Sequence, residues 1–137
     1  MSKVIPDEMR EGIRLFNARD FFECHEVLEE LWRSESGEPR AFYQGLIQLA
    51  VGFYHLVNGN YRGATSVLQR GMEMLRPYAP AYLGVEVASL LAAVEGCRVR
   101  LEALGEGRIA EFDAALIPRI RLPEAEPGGE IRHRGEL

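Results

Sequence analysis

Apolar residues recur along this chain at intervals of three and four, the spacing of one face of an α-helix. Met9, Ile13 and Phe16 make the first such stripe, and Phe21, Cys24, Leu28 and Leu31 make the second. A first helix is expected to open at Pro6-Asp7-Glu8, with acids where the helix dipole favours them, and to run to about Ala18. Asp20, with Glu23 three residues on, predicts a capping box for a second helix that ends near Ser34. A third helix over about Arg40–Val57 is apolar nearly all round, which predicts burial. Asn58-Gly59-Asn60 stops it, a fourth helix covers about Tyr61–Leu75, and Pro77 and Pro80 then break the chain. A fifth helix is expected over about Gly84–Leu104 and a short sixth over about Ile109–Leu116. Alternating apolar and polar runs are almost absent, so strands are not expected. The fold class is therefore all-α: an antiparallel array of five to six helices with the apolar helix near 40–57 at its centre. The pattern predicts one helical domain over residues 1–117. An extended or poorly ordered tail, 118–137, follows, with Ile120 and Leu122 tacked onto the body.

The chain echoes itself at an offset of about 40 residues. Gly12, Phe21, Cys24 and Leu28 fall against Gly52, Tyr61, Ala64 and Leu68, and the turns Ala18-Arg19-Asp20 and Asn58-Gly59-Asn60 superpose. Gly followed by a small residue and then a large apolar one is similar to a tetratricopeptide helix pair, in which small residues let antiparallel helices approach. Two helical hairpins obeying the same packing rules, or one hairpin duplicated, would both produce this pattern.

Composition narrows the function classes. The 137 residues carry a formal net charge of −5, with basic residues scattered rather than clustered, so the chain lacks the electrostatic footprint of a nucleic-acid binder. Residues 1–38 hold ten acids and five bases, whereas residues 39–137 hold eleven of each, so the whole net charge sits on the first two helices. That excess favours a cation or a protonated imidazole there and disfavours phosphate. Two cysteines make no disulfide framework and suit a reducing compartment. Residues 41–61 carry no formal charge and could span a bilayer by length alone. Gln44, Gln48, His55, Asn58, Asn60 and three glycines make a buried soluble helix the better reading, and no membrane partner is expected. The N-terminus lacks the apolar core of a signal peptide, so a cytoplasmic location is expected.

One polar constellation carries chemical interest. His25, Glu29 and Trp32 line the second helix at i, i+4 and i+7, bordering its core stripe. Gln44, Gln48 and His55 fall on one line of the third helix. If the two lines face each other, the five polar side chains converge beneath Trp32. They would form a semi-buried pocket for a small ligand, or for a divalent cation held by His25, Glu29 and His55. Equally, His25 and Glu29 can be a plain side-chain pair and Trp32 a rim aromatic. The run His25-Glu26-Val27-Leu28-Glu29 is HExxE, not the HExxH of zinc hydrolases. Phe22 and Gly52 stand where a di-iron Glu-x-x-His motif needs Glu. Cys24 and His25 point about 100° apart on their helix, a poor dyad.

The run Phe21-Phe22-Glu23-Cys24-His25-Glu26-Val27-Leu28-Glu29-Glu30-Leu31-Trp32, with its His-x-x-x-Glu-x-x-Trp spacing, resembles the Domain of Unknown Function 309 family of bacteria and archaea. Tyr43-Gln44-Gly45-Leu46-Ile47-Gln48-Leu49-Ala50, Tyr54-His55, Asn58-Gly59-Asn60 and Gly63-Ala64 also fit, over about residues 8 to 78. The resemblance implies a helical bundle with His25, Glu29 and Trp32 as motif residues, and it implies no reaction. Two functions remain: a pocket for a small ligand or cation, or a non-catalytic module that grips a protein partner. A homo-oligomer fits either.

Overall fold

The computed structural model describes residues 4–124, which fold into five α-helices in sequence: α1 (Asp7–Asn17), α2 (Phe21–Ser34), α3 (Pro39–Val57), α4 (Tyr61–Leu75) and α5 (Val87–Leu104). Each helix packs on the next, and α3 lies between α2 and α4. The all-α expectation is borne out: among the described residues the β pairing is an isolated bridge between Tyr82 and Val85. No helix among them is long and apolar enough to cross a membrane. As its sequence demands, α3 supplies much of the core, including Phe42, Tyr43, Leu49 and Phe53. Phe53 meets Phe16 of α1 edge-on at 5.9 Å, and Phe16 meets Phe21 of α2 edge-on at 5.2 Å.

The 40-residue echo is a repeat of contacts. A Cβ placed on Gly12 would lie 2.5 Å from Leu28 Cδ2, and one on Gly52 would lie 2.6 Å from Leu68 Cδ2. Only glycine admits leucine side chains at that depth, so both α1–α2 and α3–α4 pack closely at these points. Cys24 and Ala64, the matched small residues, are both fully buried. The turns match too. Asp20 N donates to Leu15 O at 2.9 Å and Asn60 N to His55 O at 2.8 Å. Arg19 N donates to Phe16 O and Gly59 N to Leu56 O. Arg19 and Gly59 occupy the left-handed position at φ 69° and 78°. Each helix therefore closes with the same Schellman motif.

Three expectations need correction. Asp20 makes no side-chain cap on α2; it acts through its carbonyl, which accepts from Cys24 N at 2.9 Å. The side-chain cap belongs to Asn60, whose Oδ1 accepts from Gly63 N at 2.9 Å at the start of α4. The fifth helix begins at Val87 rather than Gly84, because Tyr82 and Val85 exchange backbone hydrogen bonds around Leu83 and Gly84, at φ 47° and 82°. The expected sixth helix is two 3₁₀ segments, Glu106–Glu111 and Ala114–Leu116. Asp113 caps the second of these by accepting from Ala115 N.

Past these turns, residues 117–124 run along α1 without regular secondary structure. Ile117 and Ile120 are buried. Asn17 clamps Ile120 from both sides, donating to its carbonyl at 2.8 Å and accepting from its N–H at 2.7 Å. Arg19 donates to the carbonyls of Ile117 and Pro118, and Arg10 to that of Pro123. The rest of the expected tail, 125–137, lies outside the described residues.

Candidate functional site

Antiparallel packing of α2 on α3 places the start of one beside the end of the other. This brings His25 and His55 onto one cleft of about 230 Å³, whose other walls are Phe21, Phe22, Val51 and Tyr54. The periodicity explains the grouping, since Phe21 and His25 are one turn apart on α2, as Val51 and His55 are on α3. Phe22 and Tyr54 form an exposed rim, 53% and 39% accessible, with ring centroids 5.8 Å apart. Phe22 also lies 6.2 Å from the His25 ring, and Tyr54 6.1 Å from that of His55.

The six candidate residues do not meet at one point. His25 Nε2 stands 3.8 Å from Glu29 Oε1, too far for a hydrogen bond, and Glu29 is shared with Arg33 Nη2 at 3.4 Å. Trp32 and Gln44 line a different cleft of about 470 Å³ beside Met74, where the Arg40 guanidinium lies 4.1 Å above the indole. Gln48 lines neither cleft; its Cβ stands against Gly71 of α4.

His55 has a structural task as well. Its ring packs on Gly63, where an added Cβ would lie 2.8 Å from ring carbons, and its Nδ1 is 3.2 Å from Asn60 Nδ2. Because Asn60 Oδ1 accepts from Gly63 N, the amide NH₂ faces the imidazole and donates to Nδ1. A neutral His55 ring therefore carries its proton on Nε2. With Nδ1 engaged and Glu29 drawn toward Arg33, the expected cation site of His25, Glu29 and His55 does not assemble. Among the described residues, no group of three His, Cys, Asp or Glu side chains is placed to hold a metal ion. The thiols are equally quiet. Burial pushes Cys24 up to about 12 and Cys97 up to about 11, away from the thiolate form.

Residues 9–67 match the family DUF309, a domain of unknown function. The family resemblance read from the sequence is thereby shown over α1, α2, α3 and the first half of α4. The chain is 34% identical to the uncharacterized protein YpuF of Bacillus subtilis over 103 residues, which are 73% of this chain and 56% of YpuF. It is 25% identical to an uncharacterized protein of Aquifex aeolicus over 88 residues, 64% of this chain and 26% of that protein. The chain thus spans just over half of the first relative and about a quarter of the second. Both α2–α3 clefts use residues of the DUF309 segment, apart from Met74.

Four cleft residues were absent from the candidate set: Phe21, Phe22, Val51 and Tyr54. An available signal was that each stands within four residues of a candidate histidine on its helix. Of these, Phe21 belongs to the apolar stripe of α2.

Proposed function

We propose that this domain is a non-catalytic docking module whose α2–α3 cleft seats an apolar side chain of a partner protein. The observation that carries this reading is the Phe22–Tyr54 rim, two solvent-exposed aromatics bordering a cleft of about 230 Å³. Small-molecule sites usually enclose about 300–1,000 Å³, so this cleft admits a single side chain or a ligand of only a few heavy atoms, and its exposed aromatic rim favours the side chain. Exposed aromatics around a side-chain-sized pocket are the usual anchors of protein recognition. Paired helical hairpins similar to tetratricopeptide units are suited to presenting such a surface.

Charge specifies the partner further. Glu23 and Glu26 flank Phe22 on α2, are exposed, and have no ion-pair partner among the described residues. The facing stretch of α3 contributes no formal charge from Ala41 to Val57. A partner segment with Arg or Lys beside its apolar anchor complements this surface.

An arrayed set of short peptides tests the proposal, each with one Leu or Phe beside an Arg pair, against matched peptides carrying Asp in place of Arg. Binding to the Arg set is expected, weakened about tenfold or more by Phe22→Ala or Tyr54→Ala and made less salt-sensitive by Glu26→Lys. Equal binding of both peptide sets, or no loss in the two alanine variants, refutes it. Both aromatics are exposed, so circular dichroism of the variants should match the parent protein.

A further inference from the structure

A third cleft lies between the first half of α5 and residues 118–121, with a volume of about 260 Å³. Its polar wall is Arg119, Arg121 and Ser89, with Glu86 at the α5 end, and its floor includes Leu90 and Ala93. The two arginines follow from the local backbone. Residues 119 and 121 flank the buried Ile120, so all three side chains alternate and both guanidiniums stand on the outer side. The Asn17 clamp on Ile120, with the Arg19 bonds to Ile117 and Pro118, holds this segment on α1. The pair is therefore presented by an ordered backbone, which lowers the cost of binding.

In a chain of net charge −5 this spot is unusual. Neither Arg119 nor Arg121 has an ion-pair or hydrogen-bond partner among the described residues. Burial first, and then the neighbouring Arg119 charge, disfavour the charged form of Arg19, which gives its own donors to carbonyls rather than to a carboxylate. Two guanidinium forks with no partner among the described residues, above an apolar floor, suit an anion with an apolar body. Glu86, in the same wall, repels a dianion more than a monoanion.

We propose that the α5–tail cleft binds a small organic monocarboxylate, with its carboxylate on Arg119 and Arg121 and its short aliphatic body on Leu90 and Ala93. The site is separate from the α2–α3 cleft and does not depend on its role.

The test is a titration of the isotopically labelled protein with acetate, butyrate and hexanoate at constant ionic strength, following the amide signals of Ser89, Ala93 and Ile120. Saturable shifts are expected, with Kd falling about three- to fourfold for each added methylene until the floor is covered. Arg119→Gln with Arg121→Gln should weaken hexanoate binding by about tenfold or more while leaving thermal unfolding unchanged. If that double variant folds poorly, Ala93→Leu supplies the second arm: it fills the floor, keeps both arginines and should remove the chain-length dependence. The proposal is overturned by the absence of saturable shifts at high-millimolar hexanoate, or by undiminished binding in the variants. Inorganic phosphate binding as tightly as hexanoate overturns it too, because the site would then read charge alone.

Discussion

Adding one methyl group at each of three glycines gives a direct measure of how closely the helices approach. Gly96 lies mid-helix on the exposed side of α5 with nothing within 4 Å of an added Cβ, so Gly96→Ala should follow helix propensity and stabilise by about 1 kcal/mol. At Gly52 the same methyl would stand 2.6 Å from Leu68 Cδ2 and 3.1 Å from the Leu68 backbone nitrogen. Carbon contacts settle near about 3.5–4.0 Å, so the overlap approaches 1 Å, and overpacking of that kind costs about 1–3 kcal/mol. Part of the obstruction is backbone, which a rotamer change cannot relieve. After the propensity gain, Gly52→Ala should range from neutral to about 2 kcal/mol destabilising and should differ from Gly96→Ala by about 1–3 kcal/mol. At Gly12 the three atoms nearest the added methyl all belong to the Leu28 side chain, the first at 2.5 Å, so Gly12→Ala should fall between the two. Urea unfolding followed by far-ultraviolet circular dichroism measures all three, with m compared to confirm a common unfolded state. Combining Gly52→Ala with Leu68→Ala should recover part of the loss, a coupling of about 1 kcal/mol or more. If Gly52→Ala stabilises the protein as Gly96→Ala does, the close α3–α4 approach and the repeated hairpin geometry are wrong.

Two further outcomes follow from buried groups. Asn17→Ala leaves the Ile120 N–H and C=O without their partner, so it should cost about 1–3 kcal/mol and speed hydrogen exchange at the Ile120 amide; unchanged protection there would refute the clamp. Burial raises both thiols from 9.0, Cys24 to about 12 and Cys97 to about 11, so the unfolded chain loses these protons first as pH rises. The stability they contribute is present below pH 9 and lost between 9 and the folded values, at most about 1.4 kcal/mol per pH unit for each thiol. Cys24→Ala, which installs the residue found at the matched position 64, should flatten that alkaline fall; an identical profile would count against it.

Much of this architecture could be read from local rules. Helix placement followed from three- and four-residue periodicity and from Pro, Gly and Asn stops, because those signals act within one or two turns. The hairpin repeat was readable for the same reason: Gly12 with Leu28 and Gly52 with Leu68 are sixteen residues apart in each copy, and the turn between them has one form. Local rules failed where a competing contact intervened. At the start of α5, the Tyr82–Val85 pairing displaced three residues of expected helix.

His25 and His55 line one cleft because an antiparallel pair brings the start of α2 to the end of α3. The remaining site geometry was not open to the same reasoning. Residues at i, i+4 and i+11 share a helix face, but a neighbouring helix crosses that face at an angle and covers only part of it. Only the tertiary packing could therefore send Trp32 and Gln44 to one cleft, His25 and His55 to another, and Gln48 toward α4. The α5–tail cleft is the extreme case. Arg119 and Arg121 lie some thirty residues from Ser89 in the chain, and it is the Asn17 clamp, a contact spanning 103 positions, that sets them beside it. Periodicity carries information over a turn or two of helix, whereas such juxtapositions depend on how whole helices cross.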